Sequence, residues 1–165
     1  MRGSKRTIGR AWINVEVVAL ATAEARGMHP YESGGVLLGY IVDANELVIG
    51  RAIGPGPQAE HGKAHFVPDS AYHESEIARE YEASGRLTTY LGDWHSHPNC
   101  STRLSMLDRR TLAMIAKCRE ARMPTPIMAI IGSLEPLNLC VWQYRTTLTA
   151  LCRGRVAPLE IAFYK

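Results

Sequence analysis

The run Thr88-Thr89-Tyr90-Leu91-Gly92-Asp93-Trp94-His95-Ser96-His97-Pro98 constrains the fold of this 165-residue chain more than any other stretch. Its first part is rich in β-branched and aromatic residues, as suits a half-buried strand, so the two histidines fall at that strand's end. Residues two apart on a strand share a face, and His95 and His97 therefore project together. Pro98 has no N–H to give a sheet ladder and turns the chain out just past them. Six residues further on, Ser105-Met106-Leu107-Asp108 opens a helix. The apolar recurrence of Leu107, Leu112, Met114, Ile115 and Ala116 predicts that this helix runs to Arg122. Asp108 sits in its first turn, and so short a loop can return its carboxylate to the histidine face. Two neutral imidazoles and one carboxylate form a ligand set that leaves a catalytic zinc a fourth position for water.

Glu32 is the next candidate, because it stands just before Gly34, Gly35 and an apolar strand, where small residues let backbones pack closely. Zinc lowers the pKa of a bound water from about 9 for the aqueous ion to roughly 7. A carboxylate beside such a water can take its proton and hand it to a leaving amine, which is the role expected of Glu32. Ser105, at a helix start, is placed to donate a hydrogen bond to an oxyanion. Each residue also has a plainer explanation. Ser-x-x-Asp ahead of an apolar helix is close to a capping box, an isolated His-x-His is commonly incidental, and a single Glu in a turn is usually surface. Their joint occurrence at fixed spacing favours chemistry, and capping is compatible with it.

Composition bounds the rest. A hydrophobic content of 46% without a membrane-length apolar run predicts one domain spanning 1–165, with residues 1–10 as a flexible lead-in. The net charge of +3 comes from scattered Lys and Arg, which argues against nucleic-acid binding. Met1–Arg10 is basic but has no apolar core, so no secretory signal is read and the expected location is the cytoplasm, with no membrane association. Cys100, Cys118, Cys140 and Cys152 lack close pairing and are expected as reduced, mostly buried thiols.

The remaining elements follow from caps and periodicity. Helices are predicted from Val15 to Arg26, with Asn14 as cap and Gly27 as stop, and from Asp69 or Ser70 to Ser84, stopped by Gly85. Strands are predicted at Val36–Val42, at Glu46–Ile53 after a turn at Asp43-Ala44-Asn45, and at Ala64–Val67. Further strands are expected at Ile127–Ile131, Leu139–Tyr144 and Leu148–Cys152, the last two as a hairpin. Gly54–Lys63 reads as a loop, and Ile161–Tyr164 as an edge strand or a segment lying across the core.

Taken together, His95-x-His97-Pro98, six residues, Ser105-x-x-Asp108, with Glu32-x-x-Gly35-x-Leu37-x-Gly39 upstream, resembles the JAMM signature of the JAB/MPN metalloproteases. The resemblance implies an α/β fold related to the cytidine deaminases, three-layered, with a curved mixed sheet between helices. It implies one zinc held by His95, His97 and Asp108, Glu32 as general base and acid, and Ser105 stabilising the tetrahedral intermediate. The implied activity is hydrolysis after the C-terminal small residue of a ubiquitin-like modifier, in deconjugation or in precursor maturation. Ala64-His65-Phe66-Val67-Pro68-Asp69 and Tyr90–Pro98 are similar to small bacterial members encoded with ubiquitin-like conjugation enzymes in antiphage systems. The expected partner is an extended C-terminal tail on a sheet edge, near the loops Gly54–Lys63 and Asn99–Leu104. The sequence does not define the oligomeric state. Three alternatives stay open: a metal-free binding module of this fold, a DNA-repair member of the superfamily, and a thiol peptidase using Cys100 beside His97.

Overall fold

The computed structural model describes residues 9–145 and 154–165. Of the expected lead-in, only Gly9 and Arg10 are among them, and Arg10 already belongs to a strand. The strand expected at Leu148–Cys152 lies outside the described residues.

In chain order the elements are β1 (Arg10–Asn14), α1 (Val15–Met28), β2 (Gly34–Ile41), β3 (Glu46–Ile53), β4 (Glu60–His61) and β5 (Phe66–Val67). There follow α2 (Ser70–Ala83), β6 (Thr89–Ser96), α3 (Met106–Lys117), β7 (Ile127–Leu134), β8 (Leu137–Arg145), β9 (Arg155–Pro158) and β10 (Glu160–Tyr164). Among the described residues, eight strands form one mixed sheet in the order β10-β1-β3-β2-β6-β7-β8-β9, and β4 pairs with β5 as a separate ribbon. The parallel pairs are β1 with β10, β1 with β3, and β6 with β7. The marginal strands β9 and β10 flank buried Leu159, whose N–H donates to the Val141 carbonyl at 2.8 Å. One segment thus borders both sides of the sheet, which curls until it is nearly closed.

Alternation along the strands sorts the core onto two faces. Leu37, Trp94, Ala129 and Ile131 turn to one face and pack with Val17 and Ala21 of α1. On the other face, Val36, Leu38 and Ile53 meet Tyr72 and Ile77 of α2, while Met128 and Ile130 pack with Leu112 of α3. Helices therefore cover both faces of a curved mixed sheet, as the sequence motif implied. No helix among the described residues is long and apolar enough to cross a membrane.

Several boundaries differ from expectation for local reasons. Asn14 caps α1 by accepting from the Glu16 N–H at 2.8 Å, but the helix passes through Gly27 and ends at His29, which Pro30 forces into an extended conformation. Helix α3 stops at Lys117 rather than Arg122, because Cys118, Arg119 and Glu120 are exposed and give the core nothing to bury. The Gly54–Lys63 loop contains β4, and the neighbouring strand is shortened to Phe66–Val67. Ile161–Tyr164 falls within an edge strand, paired in parallel with β1. The antiparallel partner of β8 beyond β7 is β9. The described thiols are free but not buried: Cys100 and Cys118 are exposed and Cys140 is half-buried.

Candidate metal centre

Strand β6 carries the histidines from the middle of the sheet to its end, with β2 on one side and β7 on the other. The His97 N–H donates to the Ile131 carbonyl at 2.7 Å, which extends the β6–β7 pairing by one step past the strand. Asp108 arrives from the first turn of α3. There Ser105 and Asp108 form a reciprocal cap: the Asp108 N–H donates to Ser105 Oγ at 3.1 Å and the Ser105 N–H to Asp108 Oδ2 at 2.6 Å. The capping box thus exists and also aims the carboxylate, since one oxygen is fixed by the helix start. Ser105 uses a lone pair in the cap and keeps its O–H to donate elsewhere.

The three side chains converge. His95 Nε2 lies 2.9 Å from His97 Nε2 and 3.4 Å from Asp108 Oδ1, and His97 Nε2 lies 3.8 Å from Asp108 Oδ2. All three are buried, and their ligand atoms lie within 4.8 Å of one another. Ligands at zinc–nitrogen and zinc–oxygen bond lengths of about 2.0–2.2 Å in a tetrahedron are separated by roughly 3.3 Å, so the trio matches the spacing that a single small cation requires. His97 Nδ1 lies 2.8 Å from the Ser101 carbonyl oxygen, a partner only an N–H can satisfy, so Nε2 is left with its lone pair. Burial pushes His95 down to about 4; His97 adds to this and the Asp108 carboxylate opposes it. The imidazole is neutral at pH 7, the form that coordinates a metal.

Glu32 reaches the same cleft from the residues that lead into β2. Strand pairing places Gly34 opposite His95, and the Ser96 N–H donates to the Ser33 carbonyl at 2.7 Å, so the register brings Glu32 opposite His97. Gly34 permits this close approach: a Cβ there would collide with the Trp94 carbonyl and sit 2.9 Å from the Phe66 ring. Burial raises the Glu32 carboxyl above its ordinary value and nearby Asp108 raises it further, while His97 and His65 pull it down. Glu32, His95, His97, Ser105 and Asp108 all line one open cleft of about 750 Å³.

The cleft holds polar groups that sequence spacing did not single out. Buried His73 faces the Gly54 carbonyl through Nε2 at 2.8 Å, and Asp93 accepts from the Tyr90 hydroxyl at 2.7 Å. Asp93 lies two residues before His95 on the same strand, a period-two signal present in the sequence. The Ser101 carbonyl, as a backbone group, left no such signal. Cys100 does not join the centre. Its thiol is exposed, 3.9 Å from the Pro98 carbonyl, and both His97 ring nitrogens already face other partners. His97 is therefore not directed at the thiol, and the pairing of Cys100 with His97 is not formed.

Residues 14–144 match the family described as prokaryotic homologs of the JAB domain. A probable metalloprotease, y4qB, of Sinorhizobium fredii is 41% identical over 93% of this chain and 96% of its own length. A CD-NTase/cGAS isopeptidase of Escherichia coli is 28% identical over 61% of this chain and 62% of its own. The solution structure of protein DSY2949 from Desulfitobacterium hafniense superposes with a TM-score of 0.65 at 21% identity, covering 94% of this chain and 93% of that one, and so shares the fold.

Proposed function

The chain belongs to the prokaryotic branch of the JAB (JAMM) metalloprotease family, and from that membership we propose that it is a zinc-dependent isopeptidase or peptidase. The observation that carries this reading is the convergence of His95, His97 and Asp108 at single-ion spacing in the cleft that Glu32 also lines. Those three residues hold the ion, and Glu32 and Ser105 are the catalytic pair. Zinc bound there supplies a water of lowered pKa and polarises the scissile carbonyl. Glu32, its carboxyl raised above its ordinary value by burial, takes up a proton and delivers it to the departing amine. The free Ser105 O–H donates to the carbonyl oxygen as negative charge develops on it.

The substrate we propose is a ubiquitin-like modifier, or a protein conjugated to one, presenting an extended C-terminal tail that ends in a small residue. Support comes from the two CD-NTase/cGAS isopeptidase relatives, of E. coli and Pseudomonas aeruginosa, each matched over about three fifths of its length. We also propose that the chain acts in a bacterial antiphage system, as the likeness of Ala64–Asp69 and Tyr90–Pro98 to such family members implies. In this reading residues 1–165 form one catalytic domain acting in the cytoplasm. The test is incubation with modifier fusions cleavable at the C-terminal glycine, the cut located by intact mass. Cleavage after that glycine, abolished by chelator and restored by zinc, is expected. Cleavage that survives complete metal removal would defeat the proposal.

A further inference from the structure

We infer that the β4–β5 ribbon holds Glu32 in place, with His61 acting as a positioning residue for it; this rests on the acid–base reading of Glu32. The β2–β6 ladder ends at Gly34 and His95, one hydrogen bond short of Glu32. Beyond it, both backbone polar groups of Glu32 are taken up by consecutive ribbon residues. The Glu32 N–H donates to the Gly62 carbonyl at 2.8 Å, and His61 Nδ1 lies 2.9 Å from the Glu32 carbonyl oxygen. A carbonyl only accepts, so Nδ1 carries the hydrogen.

The ribbon is itself braced. The Gly62 N–H donates to the His65 carbonyl at 2.9 Å, closing the turn between β4 and β5. The Phe66 ring packs at 5.5 Å from the His61 ring and reaches over Gly34, so the imidazole is fixed from the side as well as by its hydrogen bond. Half-buried His61 does not line the catalytic cleft, so its influence on the reaction passes through Glu32. A misplacement of about 1 Å at a reacting group can cost as much as ~10²-fold in rate, and loss of one of two backbone tethers is expected to cost roughly tenfold.

The test uses the full chain and begins with spectra of the metal-free form. Long-range proton–nitrogen correlations should show His61 with its hydrogen on Nδ1. Exchange of the Glu32 amide should accelerate about tenfold in His61→Ala, by weakening of the neighbouring tether, and stay at the parent level in His61→Asn, whose amide nitrogen hangs from Cγ as Nδ1 does. Zinc content should be equal in all three proteins. With ubiquitin carrying a C-terminal fluorogenic amide as probe, His61→Ala should lower kcat roughly tenfold at unchanged KM, His61→Asn should recover it, and His61→Ala should cost nothing further in a Glu32→Ala background. A hydrogen on Nε2, or unaltered Glu32 exchange in His61→Ala, would overturn the inference, and these spectra decide it whether or not the probe is turned over. An equal loss in both backgrounds would overturn it too. A Glu32→Ala chain as active as the parent would instead defeat the acid–base reading.

Discussion

The Nε2 atoms of His95 and His97 face one another across 2.9 Å, and because Nδ1 of His97 is committed to the Ser101 carbonyl, its Nε2 offers a lone pair to the space between them. A divalent cation is the partner that engages both rings at once. The chain should take up one equivalent of zinc, and free ion at a hundredfold excess over Kd should stabilise it by about 2.7 kcal/mol, visible as a raised Tm. His97→Ala should fold and bind none. Elemental analysis finding a full equivalent in that variant would discard the trio as the ligand set.

Glu32→Gln keeps the shape of the side chain and its backbone tethers but cannot accept a proton. Turnover should fall by about 10²-fold or more, with zinc content and unfolding midpoint unchanged. Near-parent turnover by the variant would remove Glu32 from the mechanism.

Ser105 caps α3 and, in the proposed mechanism, also donates to the developing oxyanion, and substitution can separate the two. Ser105→Ala removes the helix cap, worth about 1 kcal/mol, together with the hydroxyl, whereas Ser105→Gly removes the hydroxyl at a capping cost of only a few tenths of a kcal/mol. Both should lower kcat by about 10²-fold, and only the alanine should shift the denaturant midpoint appreciably. Activity that followed stability across the two variants would reduce Ser105 to a cap.

His95 imposes a pH dependence on the metal-free chain. Its folded value of about 4 lies below its ordinary 6.5, so between those limits the unfolded chain binds the extra proton. Its contribution to stability is therefore whole above about pH 6.5 and is lost as pH falls toward 4, on the order of a few kcal/mol. Asp93, raised by desolvation, opposes this, because it is protonated more readily when folded. The informative quantity is the difference in urea midpoint between the parent and His95→Gln at pH 7 and at pH 4.5. A difference that does not change with pH would contradict the neutral buried imidazole.

The loop that orients His97 is braced from β8, where Trp142 Nε1 donates to the Thr102 carbonyl at 2.8 Å. Trp142→Phe keeps most of the packing and deletes that bond. By loosening the stretch that bears the Ser101 carbonyl it should weaken zinc binding by about tenfold, as outer partners of metal ligands do. A competition titration with a chromophoric chelator measures this, and an unchanged Kd would show that the loop holds without the brace.

The convergence of His95, His97 and Asp108 was legible because its signals are local: a strand period of two for His95 and His97, and a capping spacing of three for Ser105 and Asp108. Caps at Asn14 and Asp69 were readable for the same reason, each accepting from an N–H two or three residues on. The sheet margins were not. Strand β1 buries only Ala11 and Ile13 before Asn14 starts a helix, too short an alternation to stand out. Its partners, β3 and β10, are chosen by packing across the whole chain rather than by neighbours in sequence. Strand β4 is only two residues long, and what defines it is its register against β5. The hold of His61 and Gly62 on Glu32 is likewise a contact between loops some thirty positions apart, which spacing alone does not reveal.

Because β9 and β10 are the two halves of one segment around Leu159, the nearly closed sheet has its seam along that segment, while β6 lies deep between its neighbours. Fraying should therefore begin at the seam and spare the histidines. A molecule whose seam has come apart would still grip its ion, and slow amide exchange around β6 should outlast that of β9 and β10 for as long as zinc stays bound.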